Sequence, residues 1–257
     1  MDEKNYEEAI SYFSQAIRLE PNKEEAFYER AFAYYLARDY ENALLDYDNG
    51  IRLDRNPSGF IYSMRGTINS NLGNNHEAIS DFTNSLNIEK EHSIYFSRGN
   101  AKFKIEDKYG AIADFDNAID LLRNPIEFIA SDYYNNRGNA KLEIKEFRSA
   151  LNDYNKAILC LGYDEDVKLS ELGFYPSALK NPIINRGLAN FQLRNFAAAI
   201  KNFSNVYEVD KHDVEVLIFR GFAKYYSNDK RGACLDWSLA GEKGSAEAYE
   251  HIRQYCN

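Results

Sequence analysis

The stretch Arg98-Gly99-Asn100-Ala101, followed by Ala111-Ile112-Ala113-Asp114-Phe115, contains the pattern that decides the fold. The phrase Arg-Gly-x-Ala returns at Arg137, Arg186 and Arg220, and looser copies begin at Arg30 and Arg65. A unit of about 34 residues that recurs in this way is one supersecondary element, which buries its apolar face only against neighbouring copies. The sequence therefore predicts a stack of repeated units.

Alanines open the second apolar run of each unit and act as anchors for the spacing: Ala9, Ala43, Ala78, Ala111, Ala150, Ala199 and Ala233. Their successive gaps are 34, 35, 33, 39, 49 and 34 residues. Four positions after each anchor stands an aromatic residue: Phe13, Tyr47, Phe82, Phe115, Tyr154, Phe203 and Trp237. Seven positions after the anchor alanine there is usually a small residue. Offsets of 0, +4 and +7 lie on one face of an α-helix.

A second small residue precedes each of the last six anchors by twelve positions: Ala31, Gly66, Gly99, Gly138, Gly187 and Gly221. We place these residues on a preceding helix, where the lack of a side chain lets the anchor helix approach closely. The expected contact is small residue against small residue.

These positions resemble the tetratricopeptide repeat, with a small residue at repeat position 8, Ala at 20, an aromatic at 24 and a small residue at 27. The resemblance covers nearly the whole chain, in a variant of bacterial type with Arg-Gly-x-Ala. It implies an all-α fold, a right-handed α-solenoid of antiparallel helix pairs. Two positions depart from the family: the Trp of position 4 is absent, and the Tyr of position 11 survives only as Tyr34.

The repeats predict a single solenoid domain over residues 1–257. Its parts are a half repeat over 1–22, repeats over about 24–57, 59–91, 92–125, 131–162, 180–213 and 214–241, an insertion over about 161–178, and a C-terminal capping helix over about 245–256. Ser245 is the expected N-cap of that helix. The apolar residues of the insertion, Leu169 and Leu172 among them, predict a short helix that folds back on the stack. The insertion is either a tolerated elongation or a partner-specific contact.

The first unit begins at its second helix, so either the natural protein extends upstream or a partner covers this edge.

Composition narrows the class of protein. The chain has 257 residues, 44% of them hydrophobic and 28% charged, and a net charge of −9, which disfavours general binding to nucleic acid. No apolar stretch approaches the roughly 18 residues of a membrane span, and the N-terminus lacks the features of a signal peptide. The expected location is the cytoplasm, with the periplasm as the alternative if an N-terminal segment was removed.

The chemistry-bearing residues predict neither a cofactor nor catalysis. The three cysteines, Cys160, Cys234 and Cys256, are expected to be small buried hydrophobes with one free thiol near the terminus. The four histidines are scattered without ligand spacing, so no metal site is predicted. No Ser-His-Asp set, Gly-rich phosphate loop or paired carboxylates interrupt the repeat, and we expect the protein not to be an enzyme.

An arginine stands thirteen residues before each of the last six anchors, and five of those anchors are followed three residues later by an aspartate: Asp46, Asp81, Asp114, Asp153 and Asp236. After the remaining anchor, Ala199, this position is occupied by Asn202. We expect an Arg–Asp bond in each unit or between neighbouring units. The alternative is a stripe of arginines that binds a ligand.

The resemblance also implies a binding surface, because positions 2, 5, 6, 9, 12 and 13 of the family's first helices face a concave groove. The candidate groove residues are Tyr28, Phe32, Tyr35, Phe96, Asn100, Phe103, Asn135, Asn136, Asn139, Asn185, Leu188, Phe191 and Phe222. The asparagines either read the backbone of an extended peptide or bond one another and water. The family's clamp for a terminal carboxylate needs basic groove residues, and only Lys104 stands at position 13, so that mode is disfavoured.

The function that follows from this resemblance is a non-enzymatic scaffold, which binds a peptide or a segment of an unidentified partner protein in the concave groove. The alternative is a structural or assembly protein that self-associates through its uncapped N-terminal edge. The sequence does not identify the partner.

Overall fold

The computed structural model describes residues 3–124, 128–164, 166–172 and 177–256, and every regular element in these ranges is helical. A short 3₁₀ helix covers Leu169–Glu171. The α-helices are α1 Glu3–Leu19, α2 Glu24–Leu36, α3 Tyr40–Leu53, α4 Gly59–Leu72, α5 Asn75–Ile88, α6 His92–Lys104, α7 Lys108–Asp120, α8 Ala130–Glu143, α9 Phe147–Cys160, α10 Ser177–Gln192, α11 Phe196–Val209, α12 Val214–Tyr226, α13 Lys230–Glu242 and α14 Ala246–Tyr255. The predicted all-α fold is confirmed.

The chain forms two compact units, Met1–Leu121 and Leu122–Asn257. In the first unit each helix from α1 to α7 packs against the next, with α1 as the second helix of the half repeat. In the second unit the same holds from α8 to α14. The helix pairs are α2/α3, α4/α5, α6/α7, α8/α9, α10/α11 and α12/α13. Helix α10 begins at Ser177, inside the predicted insertion rather than at the predicted repeat start of 180. The division into repeats and insertion remains a prediction. A single domain over the whole chain remains a prediction.

The anchors form the core of both units. From Ala43 onward each anchor alanine is completely buried, and the aromatic residue four positions later is at most 1% exposed. The small residue of the first helix faces this ring rather than another small residue, which corrects our expectation. At Gly138, for example, an added Cβ would lie 2.7 Å from Cε1 of Tyr154. The glycines are therefore needed because a ring occupies the space that a side chain would fill.

Each turn inside a helix pair contains one residue in the left-handed region, five residues before the anchor. Glycine occupies it only once, as Gly73 with φ of 84°. The other five are Arg38, Glu106, Lys145, Arg194 and Asn228, with φ between 60° and 74°. A left-handed conformation costs most L-residues about 1–2 kcal/mol. The packing of the helix pair therefore imposes this turn against local preference.

The insertion folds back on the second unit, as predicted. Leu169 in the 3₁₀ helix is 1% exposed and packs into the core with Phe203. Its backbone N–H donates to Oδ1 of Asn205 at 2.8 Å, and Asn205 Nδ2 donates to the carbonyl of Val167 at 2.7 Å. Residues 165 and 173–176 of the predicted insertion, and residue 125 at the end of a predicted repeat, lie outside the described residues.

The C-terminal helix α14 is capped and covalently attached. Ser245 caps it as predicted, since its Oγ accepts from the N–H of Ala248 at 3.2 Å. Cys234 in α13 and Cys256 after α14 form a disulfide, with their Cα atoms 5.9 Å apart. The expectation of unpaired cysteines there was wrong, because α14 folds back antiparallel onto α13 and brings the two thiols together. Cys160 is buried, as expected.

None of the helices in the described ranges has the length and apolarity needed to cross a bilayer.

Candidate functional site

The arginine column is bonded inside each repeat. Arg98 donates from Nε to Oδ2 of Asp114 at 2.9 Å and from Nη2 to Oδ1 at 2.7 Å. Equivalent bonds join Arg30 to Asp46, Arg65 to Asp81, Arg137 to Asp153 and Arg220 to Asp236. The aspartates are at most 2% exposed. The predicted Arg–Asp bond is confirmed, and it lies within repeats rather than between them.

A second cation completes this Arg–Asp clamp and explains the departure at repeat position 11. Where the family has Tyr, Lys102 reaches Asp114 at 2.8 Å, Lys141 reaches Asp153 at 2.9 Å and Lys224 reaches Asp236 at 2.8 Å. In the α4/α5 pair Asn69 donates to Asp81 at 3.1 Å instead. We did not predict these lysines, although their fixed distance of four residues from each arginine was a readable signal.

The remaining guanidinium nitrogen, Nη1, reaches back to the preceding repeat. It donates to the residue five positions after the preceding anchor: Ser14 from Arg30, Asp48 from Arg65, Thr83 from Arg98, Asn155 from Arg186 and Ser204 from Arg220. Rings at position 4 also face the guanidinium groups, such as Tyr95 at 5.5 Å from Arg98. Hydrogen bonding to Asp46 raises the pKa of Arg30 above its usual value. These contacts favour a structural role for the arginines over a ligand-binding stripe.

The asparagines of the second unit bond one another. Asn185 Nδ2 donates to Oδ1 of Asn135 at 3.1 Å and to Oδ1 of Asn139 at 3.0 Å. Asn139 Oδ1 also accepts from Tyr154 Oη at 3.0 Å, and Asn135 Nδ2 donates to Asn136 at 3.4 Å. All four asparagines are half-buried. Their geometry matches the second of our two interpretations, amides bonded to each other.

An aromatic cavity of about 580 Å³ opens in the second unit between α10, α11 and α12. Three of its lining residues, Leu188, Phe191 and Phe222, are predicted groove residues. Phe191 meets Phe196 edge to face at 5.6 Å and Tyr226 at 5.7 Å. Gln192 and Arg194 add polar groups to the lining. This cavity brings together predicted groove residues from two successive repeats.

Several predicted groove residues of the first unit contact other side chains of that unit. Tyr28 is half-buried and donates from Oη to Asp54 at 3.1 Å, whereas Phe32 is 38% exposed and stacks 6.3 Å from Tyr35. Phe103 carries the ammonium of Lys108 over its ring at 3.9 Å. The remaining two, Phe96 and Asn100, are half-buried on α6.

A second, smaller cavity of about 350 Å³ lies in the first unit. It is lined by Tyr28 and Phe32 together with residues that we did not predict: Glu25, Glu29, Tyr47, Phe60 and Ile61. Phe196, Phe219 and Tyr226 of the aromatic cavity were not predicted either. Tyr47, Ile61 and Phe196 lie outside the first-helix positions that the resemblance assigns to the groove. The other unpredicted residues stand at its positions 2, 6 and 13 and were passed over: Glu25, Glu29, Phe60, Phe219 and Tyr226.

Within the ranges that the structure describes, no three His, Cys, Asp or Glu side chains are grouped so that they could hold a metal ion.

Family models match two parts of the chain: a TPR repeat model matches residues 1–37, and a tetratricopeptide repeat model matches residues 61–92. No curated protein sequence is significantly similar to the chain.

Solved structures show the same fold at low sequence identity. The C-terminal part of a TPR repeat-containing protein from Cytophaga hutchinsonii has 17% identity and a TM-score of 0.71, over 96% of this chain and 95% of that one. A tetratricopeptide repeat protein from Parabacteroides merdae has 16% identity and a TM-score of 0.63, over 99% and 93%. A chain of the Cut9–Hcn1 hetero-tetramer of the APC/C has 13% identity and a TM-score of 0.64, over 98% of this chain. The present chain spans 46% of the length of that Cut9–Hcn1 chain.

Proteins built from such repeats generally serve as scaffolds for protein–protein interaction. Family models thus identify tetratricopeptide repeats at residues 1–37 and 61–92, and the solved structures show that the chain has the fold of tetratricopeptide repeat proteins.

Proposed function

We propose that this protein is a non-enzymatic interaction scaffold, which binds an extended segment of a partner protein on the first-helix face of its repeats. The observation that carries the proposal is the aromatic cavity between α10, α11 and α12. Predicted groove residues from two successive repeats, Leu188 and Phe222, line it together with Phe191.

The cavity has the size and lining of a site for an apolar anchor. Its volume of about 580 Å³ lies within the range of ligand-binding clefts, about 300–1,000 Å³. Aromatic walls with a few polar groups at the rim are typical of such clefts, and a large side chain buried there contributes about 1.5–3 kcal/mol. We expect the partner segment to insert a Phe, Leu or Met side chain.

The test compares partner capture by three forms of the chain. Wild-type protein and the variants Phe191→Ala and Leu159→Ala are used to capture partners from a cell extract. Leu159 is the control, because it is 45% exposed on α9 and does not line the cavity. A captured partner is then purified, and its binding segment is synthesised and titrated by calorimetry.

We expect Phe191→Ala to lose the partner, Leu159→Ala to keep it, and the synthetic segment to bind until its apolar anchor is replaced by Ala. Equal binding to wild type and Phe191→Ala, with unchanged melting temperatures, would contradict the proposal.

Self-association through the N-terminal edge is the second candidate. In α1 the residues Ala9, Phe13 and Ala16 are only half-buried, whereas the same positions of later repeats are mostly buried. Tyr12 beside them is 70% exposed. Light scattering at increasing protein concentration tests this: a mass that doubles in the wild type but not in Tyr12→Asp supports self-association, and a constant monomer mass rejects it.

The Cys234–Cys256 disulfide is relevant to the cellular compartment in which the protein resides. Structural disulfides persist in oxidising compartments and are rare in the cytosol. The Cys234–Cys256 bond thus supports the periplasmic alternative over the cytoplasm. Alkylation of free thiols in intact cells, before any exposure to air, tests this: protection of both cysteines supports an oxidising compartment, and their modification supports the cytoplasm.

A further inference from the structure

The cavity of the first unit combines aromatic walls with two carboxylates. Helix α2 contributes Glu25, Tyr28, Glu29 and Phe32, and Tyr47 of α3 and Phe60 of α4 complete the set. We call these six residues the acidic aromatic pocket. Glu25 and Glu29 are exposed and stand at repeat positions 2 and 6, both of which face the groove in the family.

Tyr47 is the feature that marks this pocket as a site. Its side chain is completely buried, and its hydroxyl has no hydrogen-bond partner among the described residues. Burial, together with the negative charge of Glu29, raises the pKa of Tyr47 well above its usual value. Buried polar groups are nearly always hydrogen-bonded, so an unpaired hydroxyl on a residue that lines a cavity calls for an explanation.

The equivalent tyrosine of the second unit shows what is missing. Tyr154 is also completely buried, but its hydroxyl donates to Asn139, which stands at repeat position 9. In the α2/α3 repeat position 9 is Phe32, whose ring cannot accept an ordinary hydrogen bond. At position 9, Tyr47 therefore has an aromatic residue of the pocket where Tyr154 has its hydrogen-bond acceptor.

The two glutamates carry charge that the described structure leaves uncompensated. Glu25 and Glu29 are four residues apart on one helix, where like charges repel. Neither makes a salt bridge or side-chain hydrogen bond with any residue in the described ranges. The residues equivalent to Glu29 in the other repeats are Met64, Ser97, Asn136, Asn185 and Phe219, so the acid is specific to this repeat.

We propose that the acidic aromatic pocket binds a lysine side chain of the partner protein. A lysine ammonium has three donors and no acceptor, which matches two carboxylates and the hydroxyl oxygen of Tyr47. Aromatic faces attract a cation, and rings around the pocket pack against the aliphatic stem. The net charge of −9 favours the approach of a basic segment. This inference rests on the proposed function, since it names one side chain of the bound segment.

The experiment titrates the full ¹⁵N-labelled chain with the peptide acetyl-Ala-Ala-Lys-Ala-Ala-amide and follows amide shifts by NMR. Matched peptides carry norleucine or Glu in place of Lys. We expect millimolar binding of the lysine peptide with shifts around Glu29 and Phe32. We also expect at least roughly tenfold weaker binding of the other two peptides, and affinity that falls as salt is added.

Variants separate recognition from stability. Glu25→Gln/Glu29→Gln is expected to weaken lysine binding about tenfold, because both charged acceptors are lost. Tyr47→Phe is expected to weaken it about threefold to tenfold without lowering the melting temperature, since no internal hydrogen bond is removed. Tyr154→Phe is the matched control and should leave lysine binding unchanged.

Equal binding of the lysine and norleucine peptides, or unchanged lysine binding in Glu25→Gln/Glu29→Gln, would overturn the inference. The proposed function is tested separately by Phe191→Ala, which lies in the other unit and should not affect the lysine titration. Partner capture that depends on Phe191, combined with a failed lysine titration, would reject only the lysine pocket.

Discussion

Replacing Asp114 tests whether the Arg–Asp clamp holds each helix pair together. Asp114 is 2% exposed and accepts two bonds from Arg98 and one from Lys102. The change Asp114→Ala leaves two partly buried cations without their anion, and removing one partner of a buried pair costs about 3–5 kcal/mol. Each kcal/mol lowers the melting temperature of a chain of this size by about 2–4 °C, so we expect a fall of roughly 6–20 °C.

The milder change Asp114→Asn has a natural precedent in the same protein. Asn202 accepts from Nε of Arg186 at 2.9 Å, and its own amide donates to the carbonyl of Ala198 at 2.9 Å. An asparagine at 114 has the carbonyl of Gly110 in the equivalent place. It keeps one acceptor for Arg98 and loses charge, so we expect a loss of about 1.5–3 kcal/mol.

The control is Asp48→Ala. The side chain of Asp48 is 55% exposed and accepts one hydrogen bond from Arg65, which remains paired with Asp81 when Asp48 is removed. The expected loss is about 0–1 kcal/mol. Thermal melts by circular dichroism and urea titrations provide the measurement. An Asp114→Ala variant that melts within about 2 °C of wild type, or no lower than Asp48→Ala, would refute the clamp.

Four further predictions test other parts of the structure. Lys145→Gly should stabilise the protein by about 0.5–1 kcal/mol in thermal melts, because it relieves a left-handed residue, whereas Gly73→Lys should destabilise it; stability changes of the opposite sign would reject the turn argument. Gly138→Ala should cost about 1–3 kcal/mol in urea denaturation, because the new methyl meets the ring of Tyr154, and an unchanged midpoint would mean that the ring can move. Tyr154→Phe should lose about 1 kcal/mol with its bond to Asn139, whereas Tyr47→Phe should be neutral or stabilising by about 1 kcal/mol, and equal losses would disprove the difference. Cys256→Ser should cost about 3 kcal/mol by opening a loop of 22 residues, and mass spectrometry of the unfolded, unreduced wild type should show one alkylated cysteine rather than three.

The repeat register was predictable because it depends on residues that cannot be exchanged without a clash. The buried anchor alanine and the ring four positions later must fit a small residue on the first helix, as at Gly99 and Phe115. The Arg–Asp bond was predictable for the same reason, since the two charges recur at fixed offsets. These features are local to one helix pair and therefore survive in the spacing.

Features that depend on the neighbouring helix were not predictable in this way. The disulfide was missed because Cys234 and Cys256 approach only after α14 packs against α13. The left-handed turns were missed because Arg38 and Lys145 carry no preference for that conformation. The unpaired hydroxyl of Tyr47 was missed because Tyr47 and Tyr154 look alike in sequence. The signal was the residue at position 9, where Phe32 replaces an amide.

Bonds to the preceding repeat extend from five arginines, Arg30, Arg65, Arg98, Arg186 and Arg220, and they affect how such a chain changes during evolution. Because the donor stands at one fixed position and the acceptor at another, a duplicated repeat brings its own half of the junction on each side. The acceptors at Ser14, Asp48, Thr83, Asn155 and Ser204 share one position but differ in chemistry, so the junction accepts a hydroxyl, an amide or a carboxylate. Whole repeats can therefore be gained, lost or shuffled without a matching change in the neighbouring repeat, and selection on the predicted groove residues can act on each repeat separately.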